Sequence, residues 1–364
     1  MVDAQAPPSE AEVTSASRRM PAPPGGDARF GTAVVVAAAV CCGLVAVSML
    51  VGSGGTPPAR ALDFLLGRGD ARADGQLRVI LVSLRLPRTV AALLVGVALG
   101  AGGVLLQSAT RNVLAETGLL GVNGGAALGV VVGITVAGAE TGQAYLIWAL
   151  CGALLASAAV LAVAAAGPAG GSPLRLLLAG LALGMTFKGL TGALLLSSAT
   201  AYDQYRFWVL GSLSGVEPET VLVAVPVVGV GLLLAGVLVR PLSALALGDD
   251  VARALGHRPA AVRSVVAAAV TLLAASAVAV AGPIAFLGLL APFIARAVAG
   301  PRTGAQLGLA ALAGPAVLLT ADIAARLVVR PYEAPASVLI ALIGAPVLIA
   351  VARSPRLLTL GGTR

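Results

Sequence analysis

Residues 87–108 read PRTVAALLVGVALGAGGVLLQS, a run of apolar and small residues with a single charge, Arg88, near its start. A helix needs about 20 such residues to cross the hydrocarbon of a bilayer. Backbone groups in lipid must be hydrogen-bonded within their own segment, so a run of this kind is predicted to be helical. This stretch therefore indicates a chain that is solvated by lipid.

Ten runs of this kind occur along the 364 residues. Their approximate limits are residues 32–53, 87–108, 116–137, 143–166, 173–198, 219–240, 262–282, 284–300, 305–327 and 335–352. We therefore expect an all-α polytopic membrane protein with about ten transmembrane helices. Residues 1–30 are predicted to be a disordered tail, residues 31–353 the transmembrane domain, and residues 354–364 a second tail.

The composition supports the same fold class. Hydrophobic residues make up 58% of the chain and charged residues only 11%, too few to cover a soluble core of this size. Aromatic residues are 3%, whereas glycine occurs 46 times, as is typical of closely packed membrane helices. The net charge of +8 comes from scattered arginines without a basic face, which argues against nucleic-acid binding.

The distribution of arginine predicts the orientation of the chain. With ten spans and both termini in the cytoplasm, 14 arginines lie inside and nine outside, as the positive-inside rule requires. Six of the nine outside arginines lie between residues 60 and 88, which indicates a role for that cluster. We expect a multi-pass protein of the cytoplasmic (inner) membrane.

The residues of common catalytic and metal sites are scarce. His257 is the only histidine and Lys188 the only lysine, so a histidine-based triad, a zinc site and a Walker A motif are all excluded. We therefore predict no catalytic residues, no metal and no bound cofactor. If transport is driven by ATP, then ATP and Mg²⁺ must bind to a separate ATPase. Lys188 lies near the middle of a span and is predicted either to line a translocation path or to pair with carbonyl groups.

Two charged motifs lie at predicted span ends. Arg85 and Arg88 flank the start of the second span, where they could be interfacial anchors. Asp322 and Arg326 are four residues apart and share one helical face, which predicts a structural ion pair inside the ninth span.

The segment LGDDVARALG, residues 247–256, lies in the longest predicted cytoplasmic loop. It is predicted to form a short amphipathic helix between two glycines. Its apolar face requires a cover, which a soluble partner protein would provide; the alternative is an ordinary loop helix.

Several motifs together resemble, in order and spacing, the permease subunits of the iron-siderophore and cobalamin (FecCD-type) family of ABC importers, most closely the ferric-enterobactin type. These motifs are RLPR at 85–88, RNVLAE at 111–116, GLLGV at 118–122, WVLGSLSG at 208–215, LGDDVARALG at 247–256, GPIAF at 282–286 and APFIAR at 291–296.

The resemblance implies a type II ABC importer permease with defined partners. These are a second permease subunit, identical or different, two cytoplasmic ATPases and an extracytoplasmic binding protein. It also implies binding-protein docking at Arg85, Arg88 and Arg326. The ATPase coupling residues that it implies are Gly248, Asp249, Asp250, Ala252, Leu255 and Gly256.

The function implied is import of ferric-siderophore complexes, with cobalamin or haem as alternative substrates. A secondary transporter without an ATPase, using Lys188 and Asp322 as coupling charges, is the alternative from a different class.

Overall fold

The computed structural model describes residues 26–166, 173–330 and 332–353, and these residues fold into α-helices joined by short connections. The helices are α1 Gly26–Leu50, α2 Pro58–Leu66, α3 Gly75–Arg78, α4 Leu86–Thr110, α5 Val122–Ala137, α6 Gly142–Ala165, α7 Pro173–Leu196, α8 Ala199–Val209, α9 Pro218–Ala246, α10 Asp249–Ala254, α11 Pro259–Ala281, α12 Leu287–Ala299, α13 Thr303–Val328 and α14 Ala336–Arg353.

Seven helical segments are long and apolar enough to cross a membrane, and three shorter apolar helices, α5, α12 and α14, accompany them. Within the described residues, these ten segments correspond to the ten predicted spans, and the predicted all-α membrane fold is confirmed. The first helix begins at Gly26, before the predicted end of the N-terminal tail at residue 30. The rest of that tail and the tail at 354–364 lie outside the described residues.

The limits of two spans differ from the prediction for identifiable reasons. The third span was expected from residue 116, but α5 begins at Val122 because Gly121 (φ 73°) closes a separate 3₁₀ turn. The sixth span was expected to end at residue 240, where the apolar run stops, yet α9 continues to Ala246. A helix that leaves the lipid need not end where its apolar residues end.

The second span is the last part of a longer helical stretch that begins at Gly75. A π-helical segment, Val79–Arg85, joins α3 to α4 directly before Pro87. Pro87 has no N–H to donate to the preceding turn, so the regular hydrogen bonding of the helix is interrupted there. π-helical turns often mark functional regions. Arg85 and Arg88 therefore lie within a helix rather than in a loop.

Helices α4 and α11 form the centre of the bundle. In each, 78% of the most apolar 18-residue window is buried, compared with 11% for α1 and 17% for α7. The two peripheral helices therefore expose most of their apolar surface to lipid or to another subunit.

Close helix packing in the centre depends on glycine. A Cβ atom built on Gly96 of α4 would lie 2.5 Å from the Cα of Pro315 in α13, and one on Gly314 would lie 2.0 Å from the carbonyl oxygen of Gly96. A Cβ atom built on Gly100 would likewise lie 2.4 Å from the carbonyl oxygen of Ala310. The Gly96–Gly100 pair is thus the contact surface of α4 with α13, as small-xxx-small spacing allows.

We expect Gly96→Ala to destabilise the protein, because its methyl group would push two backbones apart at a cost of about 1–3 kcal/mol. Gly229→Ala in α9 is the control, since a Cβ there meets nothing within 4 Å. In a helix, alanine is favoured over glycine by about 1 kcal/mol. Thermal unfolding in detergent should give a lower Tm for Gly96→Ala and an equal or higher Tm for Gly229→Ala; equal values for both variants would contradict the packing argument.

Candidate functional site

A buried carboxylate joins two helices at the end of the bundle where α4 begins. Arg88, in the first turn of α4, donates from Nε to both carboxylate oxygens of Asp322 in α13, at 3.0 and 3.2 Å. Its Nη2 adds a third hydrogen bond at 2.8 Å. Asp322 is fully buried. We call this region, with Arg85, Arg88 and Arg326, the arginine end.

The same carboxylate also binds Arg326, one helical turn further along α13. Arg326 is 1% exposed and also donates to Ser48 in α1, from Nη1 to the carbonyl at 2.9 Å and from Nη2 to the hydroxyl at 3.1 Å. The structure therefore brings Asp322 and Arg326 together as an ion pair and adds Arg88 as a second cation. One anion shared by two guanidinium groups joins α1, α4 and α13.

Two arginines, Arg85 and Arg326, bind the last carbonyl groups of α1, which have no partner within their own helix, and Arg326 and Arg330 bind carbonyls of the two residues that follow it. Their guanidinium groups also interact favourably with the negative end of the helix dipole. The hydrogen bonds run from Arg85 to Met49 (2.8 Å) and Leu50 (3.0 Å), from Arg326 to Ser48 (2.9 Å) and Val51 (3.2 Å), and from Arg330 to Gly52 (3.1 Å).

The arginine end borders a cavity of about 400 Å³. The cavity is lined by Arg85, Arg88 and Arg326 together with the carboxylates Glu217 and Glu333. Arg85, Arg88 and Arg326 are only 6%, 8% and 1% exposed, so little of their surface is open to a docking protein. Their guanidinium groups are occupied within the chain, and the docking role stays a prediction.

Glu333, in the connection between α13 and α14, is a site residue that sequence reasoning missed. Its Oε2 forms an ion pair with Arg88, and its Oε1 accepts a hydrogen bond from the Ser53 hydroxyl at 2.6 Å. Partial burial acts to raise the pKa of Glu333, but the hydrogen bonds from Ser53 and Arg88 outweigh it and hold the pKa below its usual range. Glu333 therefore carries a negative charge at neutral pH. The sequence did hold one sign of this site, which is an acidic residue in the short loop that follows Arg326.

The opposite end of α4 carries a second charged cluster around α10. Asp249 accepts hydrogen bonds from Arg111, just after α4, at 2.8 Å, and from both terminal nitrogens of Arg263 in α11, at 3.0 and 2.8 Å. Arg111 also donates to the carbonyl of Leu245 at 2.6 Å. The hydrogen bonds from Arg263, together with the charges of both arginines, hold the pKa of Asp249 below its usual range. Helix α10 is thus fixed to α4 and α11 by one carboxylate.

The predicted short helix at 247–256 is present as Asp249–Ala254, between glycines with positive φ. Gly248 (φ 122°) and Gly256 (φ 83°) adopt backbone conformations that other residues rarely take. Ala252 is fully buried beneath the helix. The apolar residues Leu247, Val251 and Leu255 of this segment are exposed.

The two acidic residues of this helix differ in their environment. Asp249 points into the arginine pair, whereas the side chain of Asp250 is 97% exposed and contacts only Arg253 of the same helix among the ion pairs described. Asp250 and the exposed apolar residues are therefore more available to a partner than Asp249 is.

The motifs RNVLAE and GPIAF, which are far apart in the sequence, are in contact in the structure. Glu116, from RNVLAE, accepts a hydrogen bond from the backbone N–H of Phe286, from GPIAF, at 2.9 Å. Gln107 of α4 accepts one from Arg296 of α12 at 2.8 Å. These motif residues connect α4 and its following loop to both ends of α12.

Lys188 lies on the exposed side of α7 and has no ion pair among the residues that the structure describes. A Cβ atom on Gly184, Gly189 or Gly192 would meet nothing within 4 Å. This side of α7 is therefore open in the single chain, and the path role of Lys188 stays a prediction.

Comparison with known proteins finds close relatives over most of the chain. The ferric enterobactin transport system permease protein FepD of Escherichia coli (strain K12) is 44% identical over 314 residues, which are 85% of this chain and 91% of FepD. The vitamin B12 import system permease protein BtuC of Escherichia coli O6:H1 is 39% identical over 73% of this chain and 81% of BtuC.

A solved structure has the same fold. It is described as an inward-facing conformation of a metal-chelate type ABC transporter, and it aligns with a TM-score of 0.74 at 26% identity. The alignment covers 88% of this chain and 98% of that one. Residues 39–354 match the FecCD transport family. The chain is a multi-pass membrane protein and belongs to the FecCD transport family.

Proposed function

We propose that this chain is the membrane-spanning permease subunit of an ATP-driven importer that moves ferric-siderophore complexes across the cytoplasmic membrane. The observation that carries the proposal is the pair of charged clusters at the two ends of one buried helix, α4. About 23 residues separate Arg88 from Arg111, which at 1.5 Å per residue is roughly 35 Å, enough to cross a hydrocarbon core of about 30 Å. The similarity to FepD supports a ferric-siderophore substrate.

The α10 end is assigned to the cytoplasm and to the ATPase. Its exposed apolar residues Leu247, Val251 and Leu255 follow each other at four-residue spacing, and a partner surface would cover them. ATP and Mg²⁺ bind to the two partner ATPases, and this chain performs no covalent chemistry and binds no cofactor of its own.

The arginine end is assigned to the outside, where the binding protein docks. Arg85 and Arg88 line the cavity, and the planar guanidinium group suits contact with carboxylates of the binding protein. Arg326, being buried, supports the docking surface by holding α1 and Asp322 in place.

The open side of α7 is assigned to the contact with a second permease subunit and to the path between the two subunits. Its small residues leave room for a large substrate, and Lys188 adds one positive charge to that surface. Ferric complexes of catecholate siderophores are anionic, so a cation on the path would attract them.

Transport follows alternating access. ATP binding in the partner moves α10, and the ion pairs of Asp249 transmit the movement to α4 and α11. Because α4 packs against α13 through glycine contacts, the movement reaches the arginine end as a shift of packed helices.

Uptake into liposomes tests the proposed function. We expect vesicles with this chain, its second permease subunit and the ATPases to accumulate ferric enterobactin only with ATP on the ATPase side and the binding protein on the other. A proton gradient without ATP should give no uptake. Uptake driven by the gradient alone would instead support a secondary transporter. Uptake of cobalamin but not of ferric enterobactin would show that cobalamin is the substrate.

The two sides of α10 should respond differently to substitution. Leu255→Ser removes an exposed apolar contact, so we expect weaker association with the ATPase at an unchanged Tm. Asp249→Asn removes the charge shared by Arg111 and Arg263, and the loss of a partly exposed pair should lower the free energy of unfolding by about 1 kcal/mol. Co-purification and thermal unfolding measure the two effects; a lower Tm for Leu255→Ser with normal association would reverse the assignment.

Lys188→Met should slow uptake several-fold while leaving Tm and binding-protein-stimulated ATP hydrolysis unchanged, because it removes the charge and keeps the length of the side chain. Lys188→Arg retains the charge and should restore transport. Met185→Leu, on the same exposed helix surface, is the matched control for a change of side chain without a change of charge. Native uptake by Lys188→Met would place this lysine outside the path.

A further inference from the structure

Arg88 has two different carboxylate partners. Asp322, bound through Nε and Nη2, is fully buried. Glu333, bound through Nη1, has a side chain that is 23% exposed and lines the cavity at the arginine end. A carboxylate from outside the chain could not reach the position of Asp322, but it could take the position of Glu333.

Glu333 is held in place by one ion pair and by hydrogen bonds from neutral hydroxyl groups. Apart from Arg88, its hydrogen-bond partners are the side chains of Ser53, in the connection after α1, and Ser214, in the connection before α9. The residue lies in a short connection rather than within a helix. It can therefore move away from Arg88 without unfolding a helix, which Asp322, within α13, cannot do.

We propose that Glu333 is an internal ligand of the docking site, and that an acidic side chain of the docking protein displaces it from Arg88. The proposal rests on the proposed docking of the binding protein at the arginine end. Before docking, Glu333 occupies Nη1 of the buried Arg88 guanidinium and keeps other anions away from it. During docking, one carboxylate replaces another, so Nη1 of Arg88 always has an anionic partner while Nε and Nη2 stay bound to Asp322.

This exchange has a direct consequence for affinity. Each docking event must break the contact between Glu333 and Arg88, so the native residue weakens docking while making it selective for a partner that offers a carboxylate in the same position. Removing the internal ligand should therefore tighten docking, which is the opposite of the usual effect of removing a contact residue.

The test measures the dissociation constant between the binding protein and the full permease in lipid nanodiscs. Glu333→Gln should tighten docking about fivefold, as expected for loss of one partly exposed charged competitor. Glu219→Gln is the matched control, since Glu219 is an exposed carboxylate at the start of α9, next to the cavity residue Glu217, and has no ion pair among the described residues. It removes the same charge, so it corrects for general attraction of an acidic partner.

Ser53→Ala is a second variant that leaves every charge in place. It removes one of the neutral hydrogen bonds that hold Glu333 and leaves that of Ser214, so it should also tighten docking, by less than Glu333→Gln. Tighter docking in both variants, relative to Glu219→Gln, supports the proposal. Docking by Glu333→Gln that is weaker than native, or equal to that of the control, overturns it, as does weaker docking by Ser53→Ala.

Arg85→Glu separates this inference from the proposed function. If Arg85→Glu weakens docking but Glu333→Gln does not tighten it, docking occurs at the arginine end and only the exchange is wrong. If docking responds neither to Arg85→Glu nor to salt concentration, the docking assignment itself fails, and the exchange fails with it.

Discussion

The carboxylate of Asp322 is the interaction on which the arginine end depends. It is fully buried and balances two guanidinium groups, those of Arg88 and Arg326, which without it would be two like charges in a poorly solvated interior. Removing one member of a buried charge network destabilises the folded protein by more than the intact network stabilises it, because the remaining charges lose their partners. The arrangement therefore acts as a unit that fixes the ends of α1, α4 and α13 relative to one another.

Helix α4 gives that unit its connection to the rest of the molecule. It is buried along most of its length, packs on α13 through Gly96 and Gly100, and is followed by Arg111, which binds Asp249 of α10. A well-packed helix transmits displacement because its neighbours cannot deform continuously. The two charged clusters are thus mechanically joined, although they share no direct contact.

The sequence predicts the elements of this protein better than their contacts. Hydrophobic length identifies the ten spans, and the glycines at 248 and 256 correctly bracket α10, because both signals are local in the chain. The amphipathic helix α8 was not predicted as a separate element, since it is short and follows the fifth apolar run directly. The motif at 85–88 identifies arginines that were expected to be interfacial anchors or docking residues, whereas the structure buries both of them.

The burial of those arginines could not be read from the sequence because their partners are distant along the chain. Arg85 and Arg326 bind carbonyl groups at the end of α1, and any residue type presents the same carbonyl, so the sequence carries no sign of it. Glu333 was missed for a related reason. Its partners Arg88 and Ser53 lie 245 and 280 residues earlier, and only the folded bundle brings them together.

The long separation between α1 and the residues that hold it has a consequence for biosynthesis. Arg326 follows Ser48 by 278 residues, so the ribosome completes nearly the whole bundle before this contact can form. Until then α1, with little of its surface packed on other helices, must remain in the bilayer on the strength of its own hydrophobicity. Arg85 follows Leu50 by only 35 residues and can bind the carbonyls of Met49 and Leu50 early, whereas the carbonyls of Ser48 and Val51 must wait for Arg326 and meanwhile be satisfied by water and lipid headgroups. Full attachment of the first helix to emerge is therefore among the last steps of assembly, and a chain released before residue 326 would carry an α1 whose end is only partly fixed, which membrane quality control could recognise.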